Sequence, residues 1–286
     1  MTSVYIGTSE FAAAVLAAAS PQLGASLAVT RPPAAKGRGR RVQPSPVATM
    51  AGALGIAVAE PERLEEVTEE IAALGPEVVV LCSYGAIVRE PLLSRYEILN
   101  VHPSLLPRWR GAAPIERAIM AGDELTGVSI MRLVAELDAG PVCAAQALAI
   151  CPDDDYGTLS DRLAALGAKL LLEALSGPRR YVEQEGEACY AEKLGAPDRI
   201  LDPGQPAVAL ERRVRALHPH VGARLADGLG VAAARVAPEP VATGELAARE
   251  GRLYLGASPG ALELLCVQPP GRRAMDAASY LRGHAR

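Results

Sequence analysis

The sequence predicts an α/β protein with a parallel sheet flanked by helices in its first part and a small β-barrel in its last. Three observations carry this. Over residues 1–180 short apolar runs alternate with helical patterns, which is how strands and crossover helices of a parallel sheet read in sequence. In Glu77-Val78-Val79-Val80-Leu81-Cys82 five apolar residues follow the Glu without alternation, as a strand covered on both faces requires. Beyond Ala207 the apolar runs become short and are separated by Gly and Pro. Half of the 286 residues are apolar, yet no uninterrupted apolar run approaches the length that spans a bilayer, so a soluble protein with one large or two moderate domains is expected.

Taken in order, Val4-Tyr5-Ile6 reads as the first strand and Phe11 to Ala19 as the first helix. The N-terminus carries no basic region ahead of a hydrophobic segment, and no secretory leader is expected. The first strand-to-helix turn, Gly7-Thr8-Ser9-Glu10-Phe11, lacks the three-glycine spacing that admits a pyrophosphate, so a dinucleotide cofactor is not expected. Leu27-Ala28-Val29 gives the next strand. Arg31 to Pro46 is basic, rich in Gly and Pro and without apolar period, which predicts an exposed loop. Helices follow at Pro46 to Leu54, Leu64 to Leu74, Pro114 to Ala121 and Thr158 to Leu175. A polar connection runs from 181 to 206, then a helix from Ala207 to Leu217. Leu229 to Val236, Val241 to Leu246, Leu253 to Leu255 and Leu262 to Val267 are the expected barrel strands.

The stretch from Asn100 to Gly140 holds the candidate chemistry. Ile98, Leu99 and Val101 form a short buried strand, and polar residues interrupt it at its carboxyl end, where open α/β sheets bind ligands. Asn100 and His102 are two apart and therefore share a face. An amide that can donate to an oxyanion then stands beside an imidazole that can move a proton near neutral pH. Asp138, in Leu137-Asp138-Ala139-Gly140, supplies a third corner. Each has an ordinary structural alternative in backbone capping, a satisfied core histidine or a simple turn.

Charge and cysteines narrow the class. The net charge is −4, but residues 204–286 carry 11 Arg against 7 Asp or Glu, leaving the preceding part acidic. Against that acidic background Arg31, Lys36, Arg38, Arg40 and Arg41 gather on one loop, either a solvated connection or a contact for phosphates. The five cysteines are odd in number and contain no Cys-x-x-Cys pair; reduced thiols in a cytoplasmic protein are expected, with no metal.

The ordered set Asn100-Val101-His102-Pro103-Ser104-Leu105-Leu106-Pro107-Arg108-Trp109-Arg110-Gly111, the following Ala112 to Ile119, then Gly127 to Met131 and Leu137 to Val142, resembles the folate-dependent formyltransferases, most closely the methionyl-tRNA formyltransferases. Cys189-Tyr190-Ala191-Glu192-Lys193-Leu194 and Gln268 to Met275 resemble that family's connecting segment and last motif, so the likeness covers nearly the whole chain.

It implies a doubly wound, mostly parallel sheet (residues 1–180), a linker (181–206) and a small OB-like β-barrel for tRNA binding (207–286). It further implies transfer of the formyl group of 10-formyltetrahydrofolate to the α-amine of methionyl initiator tRNA for translation initiation, by a cytoplasmic monomer without a metal or a membrane. Asn100, His102 and Asp138 become the catalytic residues. Asn100 donates to the oxyanion; His102 shares that role or takes the amine proton; Asp138 orients the imidazole or relays a proton. Folate falls to Leu81, Tyr84, Gly85, Ile87, Ser104, Leu105, Leu106, Pro107, Val134 and Gly140, and tRNA to Lys36, Arg38, Arg40, Arg41 and Lys193. Two departures stand out: Glu116 where many relatives carry Gln, and His218-Pro219-His220-Val221 where an aromatic is commoner. An amino-sugar N-formyltransferase, a glycinamide ribonucleotide formyltransferase, a formyltetrahydrofolate hydrolase and a catalytically silent tRNA binder remain the competing readings.

Overall fold

The structure is a computed structural model that describes residues 2–36 and 41–284. Its elements run in chain order as β1 (Ser3–Gly7), α1 (Glu10–Leu23), β2 (Ala25–Val29), β3 (Ala34–Lys36), β4 (Arg41–Gln43), α2 (Pro46–Ala53), β5 (Ala57–Ala59), α3 (Thr68–Leu74), β6 (Val78–Cys82), α4 (Leu92–Arg95), β7 (Ile98–His102), β8 (Arg110–Gly111), α5 (Pro114–Ala121), β9 (Leu125–Arg132), β10 (Val142–Ala149) and α6 (Tyr156–Leu175). After these come β11 (Tyr190–Ala191), α7 (Ala207–Leu217), β12 (Ala223–Arg224), β13 (Gly230–Ala237), β14 (Leu246–Arg249), β15 (Arg252–Gly256), β16 (Ala261–Gln268), β17 (Met275–Asp276) and α8 (Ala277–His284). The chain divides into two compact units: Met1–Pro114, Leu125–Ala149 and Ser160–Glu192 form one, and Ile115–Glu124, Ile150–Leu159 and Lys193–Arg286 the other.

The first unit is built on a seven-stranded sheet of order β10-β9-β7-β6-β1-β2-β5. Strands β5, β2, β1, β6 and β7 run parallel, while β9 and β10 add on antiparallel beyond β7. The five residues of β1, β6 and β7 are buried throughout, as the unalternating apolar runs predict. Helix α1 extends past the expected Ala19 to Leu23, through Pro21. Proline leaves the Ala17 carbonyl without its usual donor, and the Ser20 hydroxyl bonds that carbonyl instead. Ser9 caps its start by accepting from the Ala12 amide, and Gly24 ends it in the left-handed region. The expected helix from Leu64 divides into a 3-10 turn (Leu64–Val67) and α3.

The described part of the basic segment contains two short strands where a loop was expected. Ala34–Lys36 and Arg41–Gln43 pair antiparallel, with Lys36 opposite Arg41. An exposed strand pair satisfies its own backbone groups without needing an apolar face, so periodicity cannot reveal it; Val42 within it is 71% exposed. Arg38 and Arg40 lie outside the described residues.

The second unit holds six antiparallel strands, ordered β12-β13-β16-β15-β14 with β17 on β16. Leu210, Val214 and Leu217, repeating at helical spacing along α7, join Leu253, Leu255, Leu262, Leu264 and Val267 in one buried cluster. The expected strand from Val241 to Leu246 is instead a turn leading into β14. Gly256 comes so close to the Ala242 carbonyl that a β-carbon there would sit 1.9 Å from it, and a straight strand is replaced by this close crossing. The two departures noted in sequence meet here. His220 Nε2 lies 2.9 Å from Glu116 Oε1, and Tyr156 stacks on the imidazole at 3.6 Å between ring centroids. Among the described residues no helix is long and apolar enough to cross a membrane.

Candidate active site

Strand β7 ends in Asn100 and His102, both buried, and their shared face is turned to Asp138. Asn100 Nδ2 donates to Asp138 Oδ1 at 3.3 Å, and His102 Nδ1 stands 3.7 Å from Asp138 Oδ2. The Gly111 amide donates to the same Oδ2 at 2.8 Å. The three candidate catalytic residues are thus gathered around one buried carboxylate, although 38 positions separate Asn100 from Asp138.

The far side of the imidazole decides its tautomer. His102 Nε2 is 2.9 Å from the Trp109 carbonyl oxygen, which only accepts, so Nε2 carries the hydrogen in the neutral ring. Nδ1 is then the basic nitrogen and faces Asp138. The Trp109 carbonyl, rather than Asp138, fixes the tautomer. At 3.7 Å the carboxylate is beyond a hydrogen bond, but it is placed to stabilise the imidazolium formed when Nδ1 takes a proton.

The 104–111 loop is held as a rigid wall. The Ser104 hydroxyl donates to the Arg108 carbonyl at 2.6 Å, and Ser129 Oγ donates to the Ser104 carbonyl while accepting from the Leu106 amide. The Arg108 guanidinium lies over the Trp109 ring, 4.5 Å from its centre. Trp109 and Asp138 both have positive φ, 61° and 45°, and Ser83 at the end of β6 has 46°. Non-glycine residues adopt this region at a cost of about 1 kcal/mol or more, so each must be held by its surroundings. Gly140 could not be another residue: a β-carbon there would stand 1.8 Å from the Arg132 carbonyl oxygen.

The remaining sequence candidates are distributed unevenly. Leu105, Leu106 and Pro107 are partly exposed on the loop, and Leu105 and Leu106 border a cleft of about 350 Å³ with Val142 and Arg180 on its walls. Ile87 and Leu137 are largely exposed despite being apolar, and Val134 is half-buried. Ser104 is fully buried. Leu81 and Tyr84 belong to the core beside Val88 and Leu92, so their side chains support the 83–88 loop from beneath while Gly85 stays exposed. Burial raises the Tyr84 phenol above its usual range, with Arg31 opposing the rise. Arg41 and Lys193 are exposed. Among the described residues no cluster of His, Cys, Asp and Glu has the arrangement of a metal site.

Sequence reasoning missed the contribution of residues 182–191. Val182 bridges Val142 through a pair of backbone bonds, and β11 pairs parallel with β8. The Cys189 amide donates to the Pro107 carbonyl and its carbonyl accepts from the Arg110 amide. Between these anchors Gln184 reaches Arg110, Asp138 and Gly140. The resemblance of Tyr190-Ala191 to a family motif was the one sequence signal pointing at this segment.

A buried amide and imidazole at the end of a parallel strand thus face a buried carboxylate from the loop after β9, and comparison with known proteins gives the class of the chain. The formyl transferase family matches residues 1–175, and the formyl transferase C-terminal domain matches residues 193–285; the chain belongs to the formyl transferase family. Within it, the chain is 41% identical over 300 residues to the methionyl-tRNA formyltransferase of Methylococcus capsulatus, covering 100% of this chain and 97% of the relative. It is 44% identical over 295 residues to the methionyl-tRNA formyltransferase of Halorhodospira halophila, covering 98% and 95%. Among solved structures, HypX from Aquifex aeolicus in complex with tetrahydrofolic acid superposes with a TM-score of 0.66 at 16% identity, a likeness of fold. That alignment covers 98% of this chain and 46% of HypX, so the chain spans just under half of that protein.

Proposed function

We propose that this protein transfers the formyl group of 10-formyltetrahydrofolate to the α-amine of methionine esterified to initiator tRNA, giving N-formylmethionyl-tRNA for translation initiation. The observation that carries the reading is the meeting of Asn100, His102 and Asp138 around one carboxylate, in a chain that aligns over its full length with methionyl-tRNA formyltransferases. The neutral amine attacks the formyl carbon and forms a tetrahedral oxyanion. One hydrogen of Asn100 Nδ2 is engaged by Asp138; the other donates to the oxyanion, a contact typically worth ~3 kcal/mol in the transition state. His102 Nδ1 takes the proton from the nitrogen as it becomes cationic, and Asp138 stabilises the resulting imidazolium. Collapse breaks the bond to N10 of the folate, which leaves with the proton that His102 took from the amine, and the imidazole returns to its neutral form.

Exposed Ile87 and Leu137, with Leu105, Leu106, Pro107 and Val134, suit the apolar ring faces of the folate, and the backbone at Gly85 and Gly140 suits its polar pterin edge. Ser104, Leu81 and Tyr84 act from behind that surface. Lys36, Arg38, Arg40 and Arg41 reach the acceptor end of the tRNA, with Lys193 as a further contact. In functional terms residues 1–180 are the catalytic domain, 181–206 the linker and 207–286 the tRNA-binding domain of a cytoplasmic monomer. The test is formyl transfer to methionyl initiator tRNA, with free methionine and an amino-sugar nucleotide as control acceptors. Transfer confined to the tRNA-linked amine, reduced ~10²–10⁴-fold by His102→Ala with folate binding retained, supports the reading. Transfer to the sugar, or to none of the acceptors with folate bound, overturns it.

A further inference from the structure

We infer that Gln184 is a positioning residue for the reaction, acting through Asp138 by clamping that residue's main chain; this rests on the formyl-transfer reading above. Its Oε1 accepts from Arg110 Nε at 3.0 Å and Nη2 at 2.8 Å. Its Nε2 donates to the carbonyls of Asp138 and Gly140, both at 2.8 Å. All four bonding positions of the amide are therefore used, each on a residue of the site or its immediate neighbour.

The pattern meets a specific mechanical need. Asp138 has a φ of 45°, a conformation from which an unheld non-glycine residue relaxes. Its carboxylate must nevertheless serve three partners at once: Asn100, the Gly111 amide and the basic nitrogen of His102. The Gly111 amide holds Asp138 by its side chain, and Gln184 holds it by its carbonyl. Both ties lead back to the dipeptide Arg110-Gly111, one through the guanidinium and one through the amide. Asp138 is thus fixed at two atoms against one short strand. That strand is in turn held by β11, which lies on the same segment as Gln184. No other residue type reproduces the clamp: Glu keeps the acceptor toward Arg110 but turns a carboxylate against two carbonyls, and Met keeps the shape with no polar contact.

The test uses the full-length protein carrying Gln184→Met and Gln184→Glu, each alone and with Asp138→Ala. Amide hydrogen exchange is followed without substrates, and formyl transfer to methionyl-tRNA is followed in parallel. The clamp predicts faster exchange confined to residues 105–113 and 133–142 in both single variants. It predicts a kcat lower by about 10–100-fold with KM for methionyl-tRNA within about twofold, the scale of an ångström-sized misplacement. In the Asp138→Ala background either Gln184 substitution changes kcat by less than about twofold, because the group it positions is gone. Unchanged local exchange, or multiplicative losses in the double variants, overturns the inference and leaves Gln184 a general structural contact. If the wild type fails to formylate methionyl-tRNA, the functional reading falls, while the exchange data still decide whether Gln184 holds the loop.

Discussion

Replacing Gly140 with alanine tests whether the placement of the Asp138 loop governs the chemistry. The added β-carbon would stand 1.8 Å from the Arg132 oxygen and 3.0 Å from its carbonyl carbon. An ordinary contact begins near 3.4 Å, so one of the two chains must retreat by roughly 1.5 Å. Arg132 cannot yield cheaply, because it ends β9, pairs with Leu99 of β7 and accepts no slack from its neighbour, whose amide bonds the Ile98 carbonyl. The loop therefore moves, carrying Asp138 two residues away and pulling the Gly140 carbonyl from Gln184. A misplacement of that size costs on the order of 10²-fold in rate, while overpacking at one site costs about 1–3 kcal/mol of stability. Steady-state formyl transfer and a denaturant titration of Gly140→Ala read the two effects separately. A variant that stays folded with wild-type kcat refutes the argument that this close approach sets the catalytic geometry.

Other consequences follow from named contacts. Glu116 and His220 should be energetically coupled: a double-mutant cycle with Glu116→Gln and His220→Phe is expected to give a coupling of about 0.5–3 kcal/mol, and strict additivity would show the 2.9 Å contact to be idle. Arg179, aided by Tyr181 and opposed by burial, holds the Glu97 carboxyl below its usual range. Its stabilising contribution is full above the unfolded value of about 4.3 and is lost as pH falls through the lower folded value. Glu97→Gln should accordingly flatten the acid limb of a stability–pH curve, and an unchanged limb would exclude this network as its source. Arg38→Ala is expected to weaken formylation of the tRNA while leaving folate binding intact; equal loss of both would remove the basic segment from tRNA recognition.

Much of the candidate site was legible because it lies on few, strongly patterned elements. Asn100 and His102 share a face of a buried strand, and the period of two places them without further information. Asp138 was found only by its place in an ordered motif, since nothing local brings residue 138 to residue 100. The tautomer of His102 could not be read at all: it rests on the carbonyl of Trp109, and every residue offers a carbonyl. The basic segment was recognised by charge but not by structure, because a hairpin exposed on both faces leaves no apolar period. Gln184 was hidden for a related reason. Polar chain between two domains reads as connection unless its hydrogen-bond partners, about 45–75 positions away, are known.

The sequence by itself determined the alternation of buried strands and helices, the change to short β-strands in the last unit and the residue types that can perform acyl transfer. These depend on local period and composition, which a linear chain carries in full. Tertiary structure alone decided which nitrogen of His102 is basic and which groups share the carboxylate of Asp138. It alone brought Glu116 to His220 and residues 182–191 to the 104–111 and Asp138 loops. Those are contacts between distant segments, set by how elements pack, and no local pattern encodes a partner that the chain reaches only after folding.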